Sequence, residues 1–231
     1  VDGLVGSEWC IRDSKWTYLR DKKLKKFFLQ NKIDWIECSY PGVKRGQHDR
    51  NLWAKNFRNE IIKKYNLPII KQSVNLELSN HELPKFFYDS TPCPYRQKGG
   101  SVEAEKLLHS FLNKRGENYQ FEMSSPITAE KSCSRLSTHL TYGTISHRTV
   151  FQEAEKKRDL IKHTNKNFAK SINSFLSRLH WRSHFIQKLE DQPSIEHASF
   201  IPVYDQIRDK DEEKLEAWIE VIPEFILSMH V

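Results

Sequence analysis

The chain has 231 residues, 29% of them charged and 38% hydrophobic, and its thirteen Phe, eight Tyr and six Trp exclude intrinsic disorder over most of the length. No run of about eighteen apolar residues occurs, which excludes a membrane-spanning helix, and the opening residues lack a basic leader followed by an apolar stretch, so no secretory signal is expected. The net charge of +7 is uneven: fifteen basic against eight acidic residues over 1–70, sixteen against eleven over 71–170, and six against eleven over 171–231. A basic majority with interleaved aromatics suits nucleic acid without requiring it.

Residues 16–32 place Leu19, Leu24, Phe27 and Phe28 at helical spacing, with Thr17 as N-cap and Asn31 as stop. The following IDWIECSY is short, rich in β-branched and aromatic residues, and closed by Pro41-Gly42; it reads as a strand. Residues 49–65 carry Leu52, Trp53, Phe57, Ile61 and Ile62 at helical spacing and end at Leu67-Pro68. Helix, strand and helix form a fragment of an α/β unit.

Residues 66–100 hold four of the nine prolines and little periodicity, and read as a linker. Beyond it the texture is helical, over 101–115, 133–157, 167–190 and 209–220, with Gly143 ending one helix and Ser146 capping the next. The predicted fold class is α plus α/β. The C-terminal part of a Rossmann-like α/β domain (1–68) and a linker (69–100) precede the first half of an all-helical domain (101–220) and a tail (221–231).

Several constellations bear on chemistry. Ser132-Cys133-Ser134-Arg135-Leu136-Ser137 precedes a helical pattern, so its hydroxyls and free N–H groups suit a phosphate at a helix N-terminus; an ordinary serine cap is the preferred reading of the string alone. In FLSRLHWRSHF, Arg178, Trp181, Arg182 and Phe185 fall on adjacent helical faces. A Trp edged by arginines can stack on a base or flavin, and the alternative is a core helix with snorkelling arginines. Gly99-Gly100 ahead of Glu103 marks a helix start. Cys10, Cys38, Cys93 and Cys133 form no CxxC pair, so reduced thiols and a cytoplasmic location are expected. His180 and His184 lack a third ligand, and no metal site is expected.

Taken in order, Gly99-Gly100 with EAEKLLHSFL, Tyr119, Pro126, SRLSTHLTYGTISHR at 134–148, FLSRLHWR at 175–182 and the acidic helix with Trp218 resemble the DNA photolyase/cryptochrome flavoprotein family. Upstream, WTYLRD, IDWIE and GVKRG resemble the end of that family's α/β domain. The resemblance implies a helical FAD-binding domain and light-driven electron transfer to damaged DNA, as in a carbon–carbon lyase that repairs pyrimidine dimers, or else a blue-light signalling role. A flavin-free helical nucleic-acid binder is the third reading. By position, Tyr119, Cys133, Ser134, Arg135, Leu136, Ser137, Phe175 and Arg182 would contact FAD, and Arg178, Trp181 and Arg182 damaged or single-stranded DNA. Trp181 would stack on a flipped lesion.

Two departures stand out. The family's usual Glu is Arg178, a fixed cation in place of an acceptor, and the Arg expected four residues after Tyr119 is Met123. Both favour an atypical branch. From about Val221 the chain departs from the family's glycine-rich segment, yet its codons read two bases later permit a Thr-Gly followed by Asp-Ala-Cys. The expectation is therefore an out-of-frame tail on a fragmentary product. Such a chain would bind FAD weakly or not at all, and would self-associate through exposed apolar helix faces.

Overall fold

A computed structural model describes residues 15–35, 40–44, 49–64, 96–207 and 210–220. Its helices are α1 (Lys15–Gln30), α2 (Arg50–Ile61), α3 (Ser101–Ser110), α4 (Tyr119–Glu122), α5 (Pro126–Ser132), α6 (Ser137–Thr141), α7 (His147–Ile161), α8 (Lys166–Asp191) and α9 (Glu212–Ile219). Short 3₁₀ turns occupy Pro193–Glu196 and Pro202–Gln206. Among the described residues there is no strand. In the expected strand Ile33–Trp35 and Tyr40 are irregular and 36–39 lie outside the described residues, as do 65–95 of the linker region and the tail from Val221.

The helical body is built on α7 and α8, which pack along one another. From α8, Phe168, Ile172, Phe175, Leu176 and Leu179 recur at steps of three and four and are all buried. They meet Val150, Ala154 and Ile161 of α7 and Ala104 and Leu108 of α3 in one core. Asn165 starts α8 by accepting from the Phe168 N–H at 3.0 Å, while its amide donates to Glu117 at 2.8 Å. Phe111, fully buried, lies where α3 loosens into a π-turn over Phe111–Arg115. The Gly116 N–H closes that turn on the Phe111 carbonyl at 2.9 Å. A Cβ at Gly116 would lie 2.8 Å from both that carbonyl and the Phe111 ring.

The 40–64 region docks on this body. Tyr40, Pro41, Gly42 and Val43 form a tight turn, with Val43 N–H donating to the Tyr40 carbonyl at 2.9 Å and Gly42 at φ +82° as its third residue demands. A side chain at Gly42 would lie 2.7 Å from Phe57 Cβ, so only glycine admits the close approach. Trp53, Phe57 and Ile61, one face of α2, bury against Phe151. Gln152 donates to the carbonyls of Ile61 and Lys63 at 2.7 and 2.9 Å, completing the end of α2.

Three details of the sequence reading change. Helix α1 already runs from Lys15, so Thr17 is inside its first turn and not its cap. Its far end closes beside Asn31, but Lys32 adopts the left-handed conformation at φ +55° while Ile33 N–H reaches back to the Phe28 carbonyl at 2.9 Å. The predicted apolar face of α1 is largely exposed, with Leu19 and Phe27 about half accessible; Trp35 packs 5.1 Å from Phe28, and the Pro193–Glu196 turn touches the helix. The 133–157 segment becomes helical only from Ser137, while its break is the expected one, α6 and α7 being separated where Gly143 turns at φ +66° and Ser146 accepts from Arg148 N–H.

Candidate functional site

The residues between α5 and α6 are arranged by an arginine that the sequence did not single out. Arg115, at the end of the π-turn, donates to the carbonyls of Cys133 at 2.6 Å, Leu107 at 3.2 Å and Ser134 at 3.3 Å, and to Ser110 Oγ at 3.0 Å. Only a planar fork with five N–H donors serves that many acceptors in fixed directions. Burial lowers its pKa, and the neighbouring Arg135 adds to the effect.

Within this stretch the serines do not behave as helix caps. Ser132 ends α5 with its hydroxyl on the Glu122 carboxylate, Ser134 Oγ accepts from Leu136 N–H at 3.4 Å, and Leu136 itself occupies the cap position of α6. Ser137 is exposed at the first helical position. Arg135 is exposed and left-handed at φ +63°, which a non-glycine residue adopts only when its surroundings hold it. Gln97 supplies that hold: its amide donates to the Arg135 carbonyl and accepts from Thr138 Oγ1, both at 3.0 Å. Burial pushes the Cys133 thiol up, and Arg135 and Arg115 pull it partly back.

Tyr119 and Phe175 come together in the core. Tyr119 stands edge-on to Phe111 at 5.5 Å and to Phe175 at 6.0 Å, and the Phe111 and Phe175 rings are 4.7 Å apart. Leu136 is 1% exposed in the same cluster. Burial raises the Tyr119 phenol, Cys133 adds to the rise, and the Arg178 guanidinium opposes it. The phenol thus links Cys133 to the outer face of α8. On that face Arg178 lies 4.3 Å from the centre of the Trp181 ring, which is 50% exposed.

Arg182 is half-buried. One of its terminal nitrogens donates to Thr141 Oγ1 at 3.5 Å, and its Nε is buried with no hydrogen-bond partner. It also helps to depress His147, whose pKa falls to about 3 through full burial first, then Arg182 and His180. Cys133, Tyr119, Arg178, Trp181 and Arg182 therefore run from the core to the surface. Ser137 joins them through its carbonyl, which accepts from Thr141 Oγ1 at 2.9 Å, and Arg135 is held from the other side by Gln97.

His180 and His184 meet the same aromatic ring. Both lie against the Trp53 indole, at 4.7 and 4.9 Å between ring centres, and His180 also meets Phe57 at 4.7 Å. Among the described residues no three His, Cys, Asp or Glu side chains come together, and no helix is long and apolar enough to cross a membrane. The aromatic contacts explain why two histidines four apart sit on this helix face.

No family model matches the chain. It is similar to the deoxyribodipyrimidine photo-lyase of Streptomyces griseus, at 30% identity over 125 residues, which is 54% of this chain and 25% of that protein. It is also similar to the deoxyribodipyrimidine photo-lyase of Halobacterium salinarum, at 28% identity over 120 residues, 52% of this chain and 24% of that protein. The chain thus spans about a quarter of the length of the curated relatives it matches. This chain is a relative of the deoxyribodipyrimidine photo-lyases.

Proposed function

We propose that the chain is part of a photolyase/cryptochrome-like flavoprotein that acts on damaged DNA, with 101–220 as the first half of the FAD-binding domain and 1–68 as the end of an α/β domain. The observation that carries this reading is the half-exposed Trp181 ring flanked by Arg178, with Arg182 one residue on, in a chain whose relatives are photo-lyases. An aromatic face edged by guanidinium groups offers a base both stacking and a phosphate contact.

An anionic cofactor suits the residues present. The orphaned Arg182 Nε is a buried donor without an acceptor, and Arg115 and Arg135 make the surroundings of Cys133 and Ser134 electropositive. FAD, when bound, supplies light-driven electron transfer. Arg182, Ser134, Ser137 and Arg135 would hold its phosphate and ribitol side, Tyr119 and Cys133 would contact it from the core side, and Leu136 and Phe175 would bound the pocket. Arg178, Trp181 and Arg182 would face the DNA. A cytoplasmic location belongs to the same reading.

One contact favours a second reading. The guanidinium over Trp181 stands where the resemblance expects a carboxylate acceptor, so a signalling flavoprotein without dimer repair fits Arg178 better than a standard enzyme does. Titration with FAD, followed by flavin fluorescence, tests the shared part. Weak binding that Arg182→Ala abolishes is expected from this chain. No binding by a chain extended to the relatives' length overturns it in favour of a flavin-free nucleic-acid binder. On the extended chain, blue-light repair of a dimer-containing oligonucleotide, compared with Arg178→Glu, separates repair from signalling.

A further inference from the structure

A cavity of about 480 Å³ opens between the 96–99 segment and α6, and none of Tyr119, Cys133, Arg178, Trp181 and Arg182 lines it. Three cations, Arg96, Lys98 and Arg135, line it, and no carboxylate does. Among the described residues none of the three forms an ion pair. Glu103, whose charge reaches Lys98 and His139, is already held by Lys106 at 2.7 Å. Three like charges brought to one concave site repel unless an anion sits among them.

The cavity is built rather than incidental. Arg135 is held there in a left-handed backbone through the Gln97 bond to its carbonyl. His139 in the wall is 3% exposed; its Nδ1 pairs with Thr144 Oγ1 at 2.8 Å, and its Nε2 is buried without a partner. That is an unanswered polar group in the wall of an electropositive cavity. A Cβ at Gly99 would meet nothing within 4 Å, so the 96–99 side leaves room for a group to approach the backbone. Tyr142, 67% exposed, adds an aromatic face to the lining.

We propose that this cavity binds a phosphate group carried by a nucleotide, with Arg96, Lys98 and Arg135 on the phosphate and the base against Tyr142. The site meets the proposed flavin contacts at Arg135 alone; none of the other residues proposed to touch FAD lines it. Fixed guanidinium donors suit phosphate oxygens, and the phenol ring tolerates any base. The phosphate could come from a free nucleotide or from a nucleic-acid strand, and both present the same chemistry to these three cations.

Calorimetric titration of the 231-residue chain with pyrophosphate, with adenosine diphosphate and with a six-residue oligothymidylate tests the site. Expected is salt-sensitive binding of pyrophosphate that the correct source of phosphate strengthens, which tells free nucleotide from strand. Arg135→Gly suits the φ +63° backbone while removing the charge. It and the Arg96→Ala/Lys98→Ala double variant should each weaken binding by roughly tenfold or more. The Lys166→Ala/Lys170→Ala double variant, which removes two charges that do not line the cavity, should leave it unchanged.

Absence of binding to any of the three probes overturns the site, as does equal weakening by both double variants. If Arg135→Gly loses FAD and pyrophosphate in parallel and FAD displaces pyrophosphate, the cavity is the flavin's own phosphate subsite and the separate site is overturned. Failure of the flavin reading itself shows only in the FAD titration.

Discussion

Ser183 in α8 donates its hydroxyl to the carbonyl of Pro41 at 2.7 Å, a fully buried bond between residues 142 positions apart. Four residues further along α8, the Gln187 side chain accepts from the Lys44 N–H at 2.7 Å and donates to the Lys44 carbonyl at 2.8 Å. One helix thus takes the place of a neighbouring strand for the 41–44 backbone. Ser183→Ala leaves a buried carbonyl unpaired and should cost about 1–3 kcal/mol. Urea denaturation checks it, and a loss below about 0.5 kcal/mol, the range of an ordinary surface change, would contradict the assignment.

Arg115 should prove more important than any of the serines it steadies. Arg115→Ala removes bonds to four carbonyls, that of Lys131 among them, and one hydroxyl and should destabilise by about 2–4 kcal/mol, since charge-assisted bonds to buried groups are among the stronger ones. Lysine cannot reproduce the fork, so Arg115→Lys should restore less than half of the loss. Hydrogen exchange at Cys133 through Leu136 should accelerate in both variants. Unchanged protection there would show that the stretch holds itself.

His147 gives the fold an acid-sensitive term. Its pKa falls from an ordinary 6.5 to about 3 on folding, because a fully buried imidazole beside Arg182 and His180 resists a proton. The unfolded chain therefore binds the extra proton between those values, so stability is intact above about pH 6.5 and declines as pH falls toward 3. The slope is at most about 1.4 kcal/mol per pH unit. His139 and His180 are lowered in the same direction, mainly by burial. Denaturant midpoints at pH 7, 6 and 5 should fall more steeply for the wild type than for His147→Gln, and parallel curves would remove His147 from the account.

Gly116 and Lys32 test backbone geometry in opposite senses. Gly116→Ala places a methyl 2.8 Å from the Phe111 carbonyl and ring, an overpacking that should cost about 1–3 kcal/mol. Lys32→Gly relieves a left-handed residue at φ +55° and should stabilise by about 0.5–1 kcal/mol. Thermal unfolding reads both. A neutral Gly116→Ala would mean that the π-turn yields easily.

The exposed apolar side chains make a prediction about association. Ile127, Leu160 and Phe121 are 87%, 76% and 71% exposed. Light scattering after size-exclusion chromatography should show a concentration-dependent rise in mass, reduced by Phe121→Ser/Ile127→Ser. A constant monomer mass would show that these residues are tolerated singly in water.

Much of the helical body was legible because its signal is periodic. Trp53, Phe57 and Ile61 repeat every four residues and do form the buried face of α2, and Gly143 and Ser146 mark the break between α6 and α7. Helices α4 and α5 were missed: at four and seven residues they are too short to show a period, and only Pro126 at the start of α5 hinted at one. The site was legible as a set of strings and not as an arrangement. Nothing in the string tells that Leu136 holds the cap position, that Arg135 turns left-handed, or that Arg115 serves the carbonyls of Cys133 and Ser134 from 18 and 19 residues upstream. Those follow from acceptors that only the folded chain brings together. The same holds for His180 and His184, whose spacing puts them on one helix face but does not tell that both lie against the Trp53 indole.

The clasp between 40–64 and α7–α8 also determines how the chain should respond to a protease. Ser183 and Gln187 hold the 41–44 backbone, Gln152 holds the end of α2, and the Trp53–Phe57–Ile61 face is buried against Phe151. None of these contacts needs an intact peptide bond between residues 64 and 96. A single cut placed there should yield two pieces that co-elute under native conditions and separate in denaturant. The same two segments, expressed as separate polypeptides, should reassemble as a split protein.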